Sequence, residues 1–499
     1  MWRYPFPLLK IDGQRGDKMR KEILRLNHVT LKENGEYYLD NLDFYILQGE
    51  IMGLIISDAK GCTQLIRLIC HNVPINFGGV YYEGNRVNHY SHSDFTDNRV
   101  YVIEERGRLI DSLTISDNLF VMRKGFKKYI INSRVLDNQV ELLMGSLGIT
   151  IDPKRRVSTL NAFERCVTEL LKAILAGCQF IILDRISNFL SQMELKLFQD
   201  IIREQAKRGT AFLYMGNHHQ EVFQIADRAA LFHQGSIWKV FEKEEMVETA
   251  LQPYTISFDL SGSQIREPKE EAVLKLEGVH LNGKELVGFS IRKGECLMIL
   301  DTDNQTWEPL VEVLSGSRGI SGGRICLGER LFKGEEPVDF FKEGVAVIPD
   351  DPAETFLFRD MSYMENLTFL LDRKVRFGNI RRSHLRSVRN EYRKKTGPCI
   401  DVLKIDQLSI QEKYGLAYYR IHLLHPKVVV CVQPLAKGDM YLRRYVLDLI
   451  QELKNSGISV LILTSNLADN MDVSDRMIIL QDGKAAVEYT KEEFYKVGW

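Results

Sequence analysis

The chain has 499 residues, 44% hydrophobic and 27% charged, with a formal net charge of −1 at pH 7. That length exceeds what one hydrophobic core serves, so two or more domains are expected, and the balanced charge argues against general nucleic-acid binding, which shows a basic excess. The eight cysteines form no C-x-x-C pair, which excludes a zinc ribbon or dithiol and suits a reducing compartment; no 18-residue apolar run or signal peptide points to a membrane span or secretion.

Met1 to Lys18 contains Pro5 and Pro7 and no periodicity, and reads as a loose tail. Ile23 to Leu31 alternates apolar and polar residues, as a half-buried strand does, and Leu39 to Ile46 follows as a second strand. After the turn at Gly49-Glu50, Ile51 to Ile56 is continuously apolar and predicts a strand covered on both faces.

The next stretch, SDAKGCTQLIRLI from Ser57 to Ile69, has the strand–loop–helix context of a phosphate-binding loop. A working loop reads GxxxxGK[ST]: glycines let backbone N–H groups wrap the phosphates and the lysine reaches the outer ones. Here Gly61 holds the second glycine position and Thr63 the hydroxyl position, whereas Ile56 replaces the first glycine and Cys62 the lysine. Lys60 belongs to the loop and is not equated with the missing lysine. Downstream, Ser158 to Leu175 reads as a buried helix, and Phe180 to Leu183 as a buried strand delivering Asp184 to its C-terminal end, where parallel sheets place ligand chemistry.

A repeat organises the rest. Asp184 and Val432, Asn118 and Asn366, and Asp227-Arg228 and Asp475-Arg476 each stand 248 residues apart, and Gly49-Glu50 recurs as Gly294-Glu295. The chain is therefore expected to be a tandem duplication of a domain of roughly 230 to 250 residues.

With these motifs in this order, the chain from Met19 onward resembles the fused two-cassette ATPases of ABC importers for ribose, galactose and xylose. The resemblance implies an α/β fold of two P-loop cassettes, each with an α/β core, a small antiparallel sheet and a helical subdomain. The expected layout is a tail at 1–18, a first cassette at 19–250, a linker at 251–271 and a second cassette at 272–499. ATP in that family lies between the phosphate loop of one cassette and the signature of the other. Here Glu105 stands at the glutamine-loop position, Leu160-Asn161-Ala162-Phe163-Glu164 at the first signature, Arg185 at the catalytic glutamate and Asn217 at the switch histidine. In the second half Asp301, Thr306 and Trp307 replace the loop glycines and lysine. There Leu408-Ser409-Ile410-Gln411-Glu412 is the signature, Val432 and Gln433 follow the strand, and Ser465 is the switch residue. Thr306 is expected to cap the following helix, with Glu308 in its first turn.

The resemblance thus leaves Gly61, Cys62, Thr63, Asp184 and Ser409 as remnants of one composite nucleotide site, open to weak Mg-ATP binding at the first cassette. No catalytic residue and no metal ligand are assigned. The main expectation is a catalytically inactive, pseudo-ATPase adaptor or regulatory subunit of a sugar transport or sensing system. The alternative is an ATP-binding importer subunit weakened at the first cassette. Expected partners are a membrane permease or a regulatory protein of a sugar system, with the cassettes pairing within the chain and nucleic acid not expected. The expected location is the cytoplasm, or the inner face of the membrane as a peripheral protein. The basic run from Arg373 to Lys395 is read first as a solvated helix face.

Overall fold

The computed structural model describes residues 21–93, 96–105, 107–120, 133–251, 271–281, 284–285, 288–302, 306–371, 381–436, 438–465, 473–481 and 484–496. The expected tail at 1–18 and all but the edges of the expected linker lie outside these residues.

Two six-stranded sheets carry the fold, with the same strand order. In the first, Ser236–Phe241, Arg228–His233, Ile51–Ile56, Ala211–Gly216, Phe180–Asp184 and Val100–Ile103 lie side by side. All are parallel except Ser236–Phe241, which returns antiparallel on Arg228–His233. In the second, Lys484–Thr490, Arg476–Gln481, Cys296–Asp301, Ser459–Thr464, Val428–Val432 and Val345–Ile348 repeat the arrangement. Side chains alternate across the first sheet: Ile181 and Leu183 enter one core, Phe180 and Ile182 the other. Both faces are covered, which is why these strands read as unbroken apolar runs.

Each half adds an antiparallel sheet, five-stranded around Glu22–Glu33 and four-stranded around Ala272–Glu277. Each also adds a helical layer: Ile115–Phe120, Ser133–Gly145 and Ala162–Leu175 in the first, Tyr363–Thr368, Arg382–Thr396 and Ile410–Leu424 in the second. The basic helix Arg382–Thr396 buries Val388 and Tyr392 and exposes its arginines, two of which, Arg389 and Arg393, pair with Asp401 at 3.1 Å. It is a solvated face with a local counter-ion.

The residues that recur between the two halves do the same work twice. Glu50 is buried, accepts from the Leu47 N–H at 2.7 Å and receives Arg228 at 2.7 Å, while Asp227 accepts the Ile51 N–H at 3.0 Å. Glu295, Arg476 and Asp475 make the same three kinds of contact with Arg292, Glu295 and Cys296. Asn118 clamps Ile110 through both its carbonyl and its amide, as Asn366 clamps Phe358. These are buried polar groups satisfied by backbone, the condition under which they survive in a core.

Candidate functional site

The first phosphate-type loop leaves the C-terminal end of the central strand Ile51–Ile56 and enters the helix Cys62–His71. Gly61 has φ 90°, and a Cβ there would meet the Tyr38 carbonyl oxygen at 2.2 Å. The left-handed turn and the close backbone together require glycine. Ser57 donates to the Phe232 carbonyl at 3.0 Å and lies 2.9 Å from His233 Nδ1, so the loop base is tied to the neighbouring strand. Thr63 is exposed in the first helical turn. The N–H groups at such a helix start form an anion site.

Cys62 is buried at the lysine position, and burial pushes its thiol up to about 12 against the opposing pull of Arg185. It is a neutral, apolar filler and brings no charge to an anion. Asp184 sits at its strand end, 9% exposed, and Arg185 donates to both of its oxygens, at 2.8 and 3.0 Å. Arg185 takes φ 49°, and Gln433 at the equivalent place takes φ 45°, so both copies keep the sharp turn after this strand. The guanidinium of Arg185 neutralises the carboxylate that a divalent cation would need. The residues of loop one therefore fit an anion and do not fit a carboxylate-held metal.

Ser409 is the N-cap of the helix Ile410–Leu424, in a capping box with Glu412; its hydroxyl donates to Glu412 at 2.8 Å. Asn161 and Glu164 form the same box on the helix Ala162–Leu175. Both stretches expected as signatures form capped helix starts. The observed helix in the first copy starts at Ala162, after a short 3₁₀ turn at Val157–Thr159, rather than at Ser158.

In the second loop the expected cap is corrected. Thr306 makes no side-chain cap; Asp301, fully buried at the end of its strand, accepts the N–H groups of Thr306 at 2.7 Å and Trp307 at 3.0 Å. A carboxylate of the chain thus sits where the helix start would hold a phosphate. Asp303 lies outside the described residues. Gln433 and Ser465 bond to each other at 3.0 Å in a buried pair.

Sequence reasoning did not find the residues that join the two halves. Asp439, N-cap of the helix Met440–Asn455, accepts the Leu442 N–H at 2.8 Å through Oδ1 and the loop-one Ala59 N–H at 3.3 Å through Oδ2. Tyr441 lies 5.8 Å from the His233 ring. Arg443 is buried and donates to the Asn217 carbonyl at 3.0 Å, with its other terminal nitrogen 2.6 Å from His218 Nδ1. Asp439 could have been singled out by its 248-residue spacing from Ser191, also an N-cap; Arg443 carries no comparable local signal. Among the described residues no group of three or more His, Cys, Asp or Glu could hold a metal ion.

Comparison with known proteins points to the same resemblance. The ABC transporter family model matches residues 39–188. The ribose import ATP-binding protein RbsA of Caldanaerobacter subterraneus is 23% identical over 480 residues, 94% of this chain and 97% of that protein. Over nearly its whole length the chain is similar to the two-cassette ATP-binding proteins of sugar importers. The xylose import ATP-binding protein XylG of Geobacillus kaustophilus is 22% identical, covering 95% of this chain and 97% of that protein. A solved complex of an archaeal ribosomal stalk protein with the ribosome recycling factor aABCE1 matches 93% of this chain and 90% of that one at TM-score 0.60 and 14% identity, a likeness of fold alone. Both cassettes are thus present in one chain, and the contacts of Asp439 with loop one and of Arg443 with Asn217 and His218 join them.

Proposed function

We propose that this protein is the cassette subunit of a sugar importer, with its nucleotide contact weakened and confined to loop one of the first cassette. The observation that carries the reading is the end-to-end match to ribose and xylose import ATP-binding proteins, spanning 94% and 95% of this chain. It favours the importer subunit over a free-standing adaptor. Its partners are then a membrane permease and, through it, a sugar-binding component. By its likeness to those import proteins the chain is read as a peripheral subunit on the cytoplasmic face; no helix among the described residues is long and apolar enough to cross a membrane. The layout proposed is a first cassette at 19–250 and a second at 272–499.

At loop one, the helix start at Gly61 to Thr63 would receive the phosphate tail. Bound nucleotide supplies phosphoryl-transfer chemistry, whose barrier is lowered mainly by placed charge. Here the lysine position is the neutral Cys62, and Asp184 is held by Arg185. These two observations keep a second reading in view, an importer-derived subunit that hydrolyses nothing. The test is reconstitution of the chain with its cognate permease in vesicles, reading ATP-driven pentose uptake and phosphate release together. Uptake that depends on the chain supports the importer reading. A chain that assembles with the permease and releases no phosphate supports the second. A chain that binds no permease contradicts both.

A further inference from the structure

We infer that the two cassettes of this protein are held together without nucleotide, by Arg443 of the second cassette inserted into the switch loop of the first. The inference concerns pairing and holds whichever function the assembly serves.

In an ABC site the switch position and the phosphate loop face the nucleotide, and what bridges the cassettes there decides what holds them closed. Arg443 lies one turn into the helix Met440–Asn455 and is 4% exposed. Its guanidinium reaches the Asn217 carbonyl and the His218 ring of the other cassette at 3.0 and 2.6 Å. His218 can accept that bond because burial and the Arg443 charge keep it well below the usual histidine range, hence neutral. Burial lowers Arg443 to about 9, so it stays charged at neutral pH. Glu221 is a further acidic neighbour of Arg443, and Asp439 lies one turn before it. Gly438 leaves room for the stem: a Cβ there would stand 2.9 Å from Arg443 Cγ.

A second, separate contact supports the same closure. Asp439 places a carboxylate on the Ala59 N–H of loop one, a donor that phosphate would otherwise compete for. Tyr441, between Asp439 and Arg443 in sequence, has its ring 5.8 Å from that of His233, whose ring also meets the exposed Trp238 at 3.9 Å. Removing one side of a buried charged contact leaves the other unsatisfied, so losing either partner of this bridge is costly.

The test is hydrogen–deuterium exchange on the full chain without nucleotide, following peptides over 57–63 and 214–220. In the unaltered protein these segments are expected to be protected, and Mg-ATP to change exchange at 214–220 less than twofold. In Arg443→Met they are expected to exchange at least tenfold faster, while the strands Ile51–Ile56 and Ser459–Thr464 stay protected. His218→Leu, made from the opposite side, is expected to shift the same segments in the same direction. Small-angle scattering of the unaltered chain gives a readout that needs no variant: its radius of gyration should be the same with and without Mg-ATP. Rapid exchange at 57–63 in the unaltered protein, compaction on adding Mg-ATP, or unchanged exchange in both variants would overturn the inference.

Discussion

Single side chains decide what each loop can hold. Asp301 is a buried carboxylate satisfying two helix-start N–H groups, so it acts both as a cap and as an internal substitute for an anion. Asp301→Ala leaves those donors without their acceptor, which costs about 1–3 kcal/mol; urea unfolding of the full chain should show that loss in the second cassette's transition. An unchanged midpoint would mean the loop satisfies itself otherwise. His218 gives a pH-dependent term. It is neutral in the fold, with its pKa depressed, and takes up a proton on unfolding below about pH 6.5. Its contribution is present above that pH and lost as the pH falls toward the folded value. Burial raises the pKa of the nearby Glu221, whose contribution runs the other way. The difference between wild type and His218→Leu isolates the histidine: wild type should lose more stability between about pH 7.5 and 5.5.

At the scale of elements, much of the molecule was legible from sequence. Ile51–Ile56 is read to the residue because a strand covered on both faces must be apolar throughout. The repeat marked Glu50, Arg228, Glu295 and Arg476 only as recurring residues; that each glutamate pairs with its arginine is seen in the structure alone. Each arginine is 12% exposed over a carboxylate 2% exposed. Arg228→Met and Arg476→Met should each cost about 3–5 kcal/mol, each in its own cassette, which thermal scans of the two variants would show as separate shifts. The cap by Asp301 was not legible, because the acceptor stands five residues before the first N–H it satisfies and a loop must bring it round. Arg443 was invisible for a stronger reason: its partners lie 226 and 225 residues away, where no local pattern reaches. Arg185 could be seen to replace a glutamate, but its closing on Asp184 depends on the left-handed turn at Arg185 itself.

For the whole molecule, the two cassettes keep the fold in duplicate and treat their loops differently. Loop two is filled by Asp301 from its own chain, whereas loop one gives the Ala59 N–H to Asp439 at 3.3 Å and keeps an exposed helix start at Thr63. Because Arg185 occupies Asp184, magnesium should matter little: chelating it with EDTA is expected to change ATP affinity less than about threefold, whereas a strict metal requirement would show that Arg185 swings away. The central claim is one weak nucleotide contact, at loop one. Gly61 is a poor place to test it, since any side chain there strikes the Tyr38 carbonyl; Thr63→Glu instead puts a negative charge, tolerated in a first helical turn, where the phosphates would lie. The decisive measurement is calorimetric titration of ATP into the full chain and into Thr63→Glu. A single weak site in the unaltered protein, abolished in the variant, is the predicted result; two sites of equal affinity, or one site that survives Thr63→Glu, would contradict it.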